Sequence, residues 1–167
     1  MLMNEDAFNV DDKLLTLEEA IEYRRTLRNE NKKLVVTDGC FDLLNCGHAV
    51  HLKESRALGD ALLVLLNCDE AVKFLKGEKR PFNDAFARAY LLLSLRTVDR
   101  VVIFNGSTCH DEIAKIQPDI YVKGGDLMLE TMNPLEKTAL MEAGSVIYFK
   151  KRVEGFSESS IIDKIKA

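Results

Sequence analysis

The sequence predicts an α/β fold: a five-stranded parallel sheet, doubly wound with helices on both faces, in one domain. Short runs rich in Val, Ile and Leu, at 34–37, 61–66, 101–104, 120–122 and 146–149, alternate with helical stretches whose apolar residues recur at three- and four-residue spacing. The runs lack the in–out alternation of a half-exposed strand, so they read as strands buried on both faces and joined by right-handed crossovers. The polar, glycine-containing segments fall after strands, at the carboxyl edge where such sheets bind ligands.

In chain order, residues 1–15 form a polar, acidic lead-in to a domain at 16–167. Thr16 and Glu19 make a capping-box pattern for a first helix carrying Leu17, Ala20, Ile21 and Leu27 on one side. The strand 34–37 (LVVT) is bounded by Lys33 and by the turn residues Asp38 and Gly39. Gly47-His48 opens the next helix, with Val50, Leu52, Ala57 and Leu58 inward, and Gly59-Asp60 ends it. After the strand 61–66 (ALLVLL), residues 69–83 read as a loop carrying Lys73, Lys76, Lys79 and Arg80 and closed by Pro81. By spacing alone this dense basic run suits a solvated face and an anion-binding loop equally.

Asn83 or Asp84 caps a helix to about Leu95, with Ala87, Leu91, Leu92 and Leu95 inward. Following the strand 101–104, a helix runs from Ser107 or Thr108 through Ile116 and is stopped by Pro118. The strand 120–122 delivers Lys123-Gly124-Gly125-Asp126, and 127–133 reads as a mobile loop. Pro134 starts a helix to about Ala143, the strand 146–149 follows, and Ser157 caps the last helix with Ile161, Ile162 and Ile165 on one side.

A chain of 167 residues with 47% hydrophobic content supports a sizeable core, and a net charge of −4 argues against a nucleic-acid partner. Any phosphate site is then a local focus of Lys and Arg, better suited to a mononucleotide than a polymer. Cys40, Cys46, Cys68 and Cys109 have no zinc spacing and read as reduced thiols. No stretch approaches the roughly 18 apolar residues of a membrane span, and residues 1–12 lack a basic region followed by an apolar run. The expectation is a cytoplasmic chain without a membrane partner.

Chemistry concentrates at residues 34–60, a strand, a glycine-bearing turn and a helix. The free N–H groups and positive dipole end of that helix make an anion site. Gly47 admits a phosphate to the main chain, and His48 on the first turn donates to it. His51 and His110 read as structural.

The run G-C-F-D-L-L-N-C-G-H at Gly39–His48 resembles the G-x-F-D-x-x-H-x-G-H signature of cytidylyltransferase-like nucleotidyltransferases. Leu75-Lys76-Gly77 with Arg80-Pro81, then Val122–Asp126, then the serine-rich start of the last helix follow in that family's order. The resemblance is greatest to the adenylyltransferase domain of bifunctional heptose-phosphate kinase/adenylyltransferases, over about Thr16 to Ile165. Glycerol-3-phosphate cytidylyltransferases come next.

The resemblance implies a Rossmann-like fold and nucleotidyl transfer, with His48, Asn45 and Lys76 as catalytic residues. It places nucleotide contacts at Gly39, Cys40, Phe41, Gly47, Arg80, Arg88, Lys123, Gly124, Asp126, Ser157 and Ser159. Asp42 is left as a holder of acceptor, ribose or Mg²⁺, or as a simple Asx-turn residue. The expected partners are ATP or CTP and a sugar phosphate or small alcohol phosphate, with Mg²⁺ as cofactor and a homodimer as the assembly. With no kinase-like segment before Thr16, a kinase step is expected from a separate chain.

Two positions depart from the family pattern. Asn45 replaces a histidine and offers a neutral N–H donor to a phosphate oxygen. Glu158 replaces a threonine and is expected to face solvent, where it complements the helix dipole. The leading function is transfer from ATP or CTP to a heptose 1-phosphate-like acceptor. A CTP-dependent glycerol-3-phosphate-type enzyme, or a nucleotide-binding homologue impaired by Asn45 and Glu158, are the alternatives.

Overall fold

The computed structural model describes residues 10, 12–125 and 128–167. Among them six strands form one parallel sheet in the order β1-β4-β3-β2-β5-β6. These are β1 (Leu14–Leu15), β2 (Leu34–Gly39), β3 (Ala61–Asn67), β4 (Arg100–Phe104), β5 (Ile120–Gly124) and β6 (Val146–Lys150). The helices are α1 (Leu17–Asn29), α2 (Cys46–Arg56), α3 (Asp69–Lys76), α4 (Ala85–Leu93), α5 (His110–Ile116), α6 (Pro134–Glu142) and α7 (Glu158–Lys166).

Alternate strand residues feed two apolar layers. Leu34, Val36, Leu63, Leu65, Val102 and Tyr121 pack with α1, α5 and α6 through Ala20, Leu27, Ile113, Ile116 and Leu140. Val35, Leu62, Val64, Leu66, Val101 and Val122 pack with α2 and α4 through Leu52, Ala89 and Leu92. Burial on both faces explains the unbroken apolar runs, and β3 is buried over its whole length. At the sheet's amino edge, Asp60, Asp99 and Asp119 accept from the backbone N–H of Lys33, Leu62 and Leu34. The buried Arg24 ties α1 to Asp119 at 2.6 Å.

Five expectations need correction. The lead-in does not reach Leu15: Leu14 and Leu15 pair with Val101 and Val102 as the sixth strand, too short to leave a periodic signal. The first part of the basic run is helix α3, capped by the Cys68 thiol accepting from the Ala71 N–H. Lys73 and Lys76 sit in its last turn, where the dipole favours cations. On α4, Leu91 is exposed, whereas Arg88 and Ala89 lie inward with Leu92. Helix α5 starts at His110, after Thr108 has bonded the His110 ring. Within the stretch expected to be mobile, Met128 and Thr131 close a turn and Met132 is buried in the core.

The chain passes from β2 outward through β3 to β4, then returns to β5 on the other side of β2. The topological switch therefore lies between β2 and β5, and the crevice outside their carboxyl ends is the ligand position in such sheets.

Candidate active site

After β2 the chain turns through Cys40, Phe41 and Asp42. The Asp42 carboxylate is wholly buried and accepts from Arg80 Nε and from the backbone N–H groups of Phe82 and Asn83, the last two at 2.8 and 3.0 Å. Asn83 Nδ2 returns a bond to the Asp42 carbonyl at 2.9 Å. Asp42 is thus the clasp that fixes the 77–84 loop against the first turn, with its partners far along the chain rather than in a local Asx-turn. The Arg80 guanidinium is also stacked on the Phe82 ring, 4.7 Å from its centroid.

This clasp aims Arg80 at a point where three donors converge and the His48 ring stands alongside. Lys76 Nζ lies 2.7 Å and Arg80 Nη2 2.6 Å from Glu158 Oε2, the Asp42 N–H 3.1 Å from Oε1, and His48 Nε2 3.9 Å from Oε1. Glu158 therefore faces inward, contrary to the solvent-facing expectation. Burial opposes its charge, but Lys76 and Arg80 outweigh burial and hold the carboxyl below the ordinary range.

Helix α2 begins one residue earlier than expected, with Asn45 as N-cap. Asn45 Oδ1 accepts from the His48 N–H at 3.3 Å, and its Nδ2 donates to the Leu43 carbonyl at 3.1 Å. The amide oxygen is committed to the cap and one Nδ2 proton to Leu43, so a phosphate contact from Asn45 falls to the remaining Nδ2 proton. Gly47 has a packing reason besides the one inferred: an added Cβ would stand 2.6 Å from the Phe156 carbonyl, so this glycine lets the segment leading to α7 pass over α2.

The His48 ring meets Phe41 edge-on, with centroids 5.1 Å apart, and its Nδ1 is buried without a hydrogen-bond partner. Burial pushes the imidazole pKa down, partly opposed by Glu158, so the ring is neutral at pH 7 and Nε2 is its face toward the cradle. His51 is structural. Thr37 spends its proton on the Val122 carbonyl, so at 2.9 Å His51 Nε2 is the donor to Thr37 Oγ1. An added Cβ on Gly124 would meet the same His51 ring at 3.1 Å, which accounts for that glycine by packing.

A second polar cluster occupies the switch between β2 and β5. Lys123 Nζ lies 2.9 Å from both Asp38 oxygens and 2.9 Å from Glu136 Oε2. Tyr121 donates to Asp38 at 2.7 Å, and the Cys109 thiol lies 3.2 Å from the Tyr121 hydroxyl and 3.5 Å from Glu136 Oε1. Burial disfavours the Lys123 ammonium, but Asp38 and then Glu136 outweigh it and raise its pKa. Burial first, then the neighbouring carboxylates, push the Cys109 thiol and the Tyr121 hydroxyl well up, so both are protonated.

The cradle thus brings together His48, Lys76, Arg80 and Asp42 from the residues expected at the site. Arg88, expected at the phosphates, is wholly buried and donates to the Cys40 and Asn83 carbonyls and to Asp69, bracing the turn from beneath. Lys123 is turned into its own carboxylate pair. The Ser157 hydroxyl is spent on the α7 capping box with Ser160, and Ser159 is exposed. Gly39, Cys40 and Phe41 build the wall of the turn, the Cys40 carbonyl being held by Arg88. Asp126 lies outside the described residues.

Sequence reasoning missed Phe82 and Asn83, whose partners lie 40 and 41 positions away, and the Asp38–Glu136 pair. The pairing of Lys123 with Asp38 had a signal: opposite charges at the carboxyl ends of neighbouring strands.

A resident Mg²⁺ does not fit these donors. Asp42 and Glu158 are held by Arg80 and Lys76. Among the described residues, the one group that could hold a metal, Asp38, Cys109 and Glu136, pairs a soft thiol with carboxylates already bridged by an ammonium.

A doubly wound parallel sheet with a cationic cradle behind a Gly-His helix start defines a nucleotidyltransferase of Rossmann-like fold. Residues 36–163 match the cytidylyltransferase-like family, and the chain belongs to it. It is 46% identical over 157 residues to the bifunctional protein HldE of Helicobacter pylori strain G27, covering 92% of this chain and 31% of that protein. With HldE of Methylococcus capsulatus it is 41% identical over 152 residues, covering 91% and 32%. The chain therefore spans about a third of the length of these relatives.

Two solved structures share the fold. A lipopolysaccharide core biosynthesis protein from Thermoplasma volcanium has a TM-score of 0.59 at 27% identity, covering 73% of this chain and 97% of that one. Pantoate-beta-alanine ligase from Francisella tularensis, bound to an ATP analogue and beta-alanine, also scores 0.59 at 14% identity, covering 83% and 66%, and speaks for the fold alone. Among the described residues no helix is long and apolar enough to cross a membrane.

Proposed function

We propose that this chain transfers a nucleoside monophosphate from ATP or CTP to a sugar 1-phosphate of the heptose 1-phosphate kind, releasing pyrophosphate. The observation that carries the reading is the convergence of Lys76, Arg80, His48 and the Asp42 N–H on a single oxyanion at the carboxyl edge of β2. The similarity to HldE proteins and to a protein named for lipopolysaccharide core biosynthesis supports a sugar phosphate as acceptor.

In the reaction an oxygen of the acceptor phosphate attacks the α-phosphorus. A P–O bond forms there, and the bridging P–O bond to the β-phosphate breaks as pyrophosphate leaves with the electron pair. Such transfer needs alignment of two polyanions and neutralisation of developing charge rather than a protein nucleophile. Lys76 and Arg80 supply fixed positive charge for the triphosphate. His48 presents Nε2 beside the α2 N-terminus, and a phosphate charge next to the ring would favour its protonated form against burial, as Glu158 does now. Mg²⁺, which these donors do not fit as a resident ion, would arrive with the triphosphate and offset part of its charge.

The test is a pyrophosphate-release screen crossing ATP, CTP, GTP and UTP with heptose 1-phosphate and glycerol 3-phosphate. Turnover with ATP or CTP and heptose 1-phosphate is expected. Turnover only with CTP and glycerol 3-phosphate moves the chain to the alcohol-phosphate branch. A second reading, a nucleotide-binding homologue without catalysis, is favoured by Asn45 being spent as a cap and Glu158 standing in the cradle. Tight nucleotide binding with no turnover for any pair would establish it.

A further inference from the structure

The residue standing in the cradle is an anion supplied by the chain itself. The Glu158 carboxylate accepts from Lys76, Arg80 and the Asp42 N–H, and His48 Nε2 faces it. A phosphate oxygen would need the same donors. The remaining charged group at this point, the Asp42 carboxylate, is already bonded to Arg80 and to two backbone N–H groups, so it cannot relieve the competition. Glu158 is the first residue of α7, and that helix has no buried residue. Its first turn is held by the Ser157–Ser160 capping box and by the carboxylate's own bonds. An element so lightly packed can be displaced without opening the core.

We propose that Glu158 is an intramolecular occupant of the phosphate cradle, which a nucleotide must displace, with withdrawal of the α7 N-terminus, before its phosphates reach Lys76 and Arg80. This inference rests on the nucleotide reading of the cradle given above. It makes Glu158 the residue that sets nucleotide affinity: the ligand replaces an existing set of charge-assisted bonds instead of forming them anew, so much of its interaction is offset by the bonds it breaks. A ligand carrying more phosphate charge competes better than one carrying less.

The test compares the wild-type chain with Glu158→Gln, which keeps the shape and removes the charge, and Glu158→Ala as a second variant. Binding of ATP, CTP and inorganic tripolyphosphate is measured by calorimetry, and hydrogen exchange of the wild-type α7 amides is followed with and without saturating nucleotide. Both variants should bind roughly tenfold more tightly or better, about 1.4 kcal/mol, and nucleotide should speed exchange in the first turn of α7. Wild-type binding that neither variant strengthens, or exchange in that turn that nucleotide slows or leaves unchanged, overturns the displacement while leaving the nucleotide reading intact. If wild type and variants all fail to bind ATP, CTP and tripolyphosphate, the nucleotide reading falls and the displacement with it.

Discussion

Lys123 and Lys76 each meet carboxylates at the carboxyl edge of one sheet, in surroundings of opposite kind. The Lys123 ammonium sits between Asp38 and Glu136 with three oxygens at 2.9 Å, and Glu136 is itself pinned by the Cys109 N–H. Lys76 reaches one carboxylate, Glu158, carried by a helix that buries none of its residues. The first cluster joins β2, β5 and α6 and leaves no proton of the ammonium for a ligand. The second joins the end of α3, the 77–84 loop and the start of α7, and one partner can leave. A cation near a phosphate crevice is therefore not a phosphate ligand by position alone, because its existing partners decide whether it can be recruited.

The largest effect should come from breaking the closed cluster. Lys123→Ala leaves two carboxylates close together without a counter-charge, and removing one partner of a buried ion pair costs about 3–5 kcal/mol. Urea unfolding should show that loss, whereas Lys76→Ala, from a partly exposed pair, should cost below about 1 kcal/mol. Equal losses for the two variants would erase the distinction between the clusters. Next in size is His48→Ala, expected to remove about 2.7 kcal/mol of transition-state stabilisation, roughly 100-fold in kcat, with little change in nucleotide affinity. Near-wild-type kcat in that variant would remove His48 from the chemistry and leave the cradle as a binding device.

The same contrast separates what was legible in the sequence from what was not. Strand runs such as 61–66 and the capped helix at Thr16 carry their reasons locally, in period and in capping chemistry, and both stand where they were read. The turn from Gly39 to His48 was visible as a motif, but its internal assignments were not. Arg88 has an ordinary helical position, and only the fold shows that it faces down onto the Cys40 carbonyl. Glu158 was read from the helix dipole, a local effect worth a few tenths of a kcal/mol. Three donors from distant segments, each a charge-assisted or backbone hydrogen bond, outweigh it. Long-range partners, rather than residue type, decide these positions.

Lys76→Ala also sharpens the comparison on the ligand side. Its expected partner is a β- or γ-phosphate oxygen, so triphosphate affinity should fall by less than about 1.5–3 kcal/mol, the range for a hydrogen bond to a charged group, because the Lys76–Glu158 bond that the ligand would break is lost as well. Monophosphate affinity should change much less, and calorimetry with ATP and AMP in parallel measures the difference. Equal losses for both ligands would place Lys76 away from the β/γ positions. Arg80→Ala is a poorer probe, because it also frees the buried Asp42 carboxylate.

The smallest expected effect is at Asn45, where the cluster meets the start of α2. The amide oxygen accepts from the His48 N–H, so Asn45→Ala leaves that donor without its cap and should cost about 1 kcal/mol of stability. Asn45→Ser restores an acceptor at the same position and should recover most of it. Asn45→His separates capping from charge. If a positive group beside the phosphates is what this site lacks, turnover should rise below neutral pH, as the new imidazole protonates near its ordinary pKa of about 6.5. A loss of activity at every pH, with unfolding shifted as in Asn45→Ala, would mean that the position serves the helix start alone. The chemistry would then rest on His48 and the cations that Glu158 now holds.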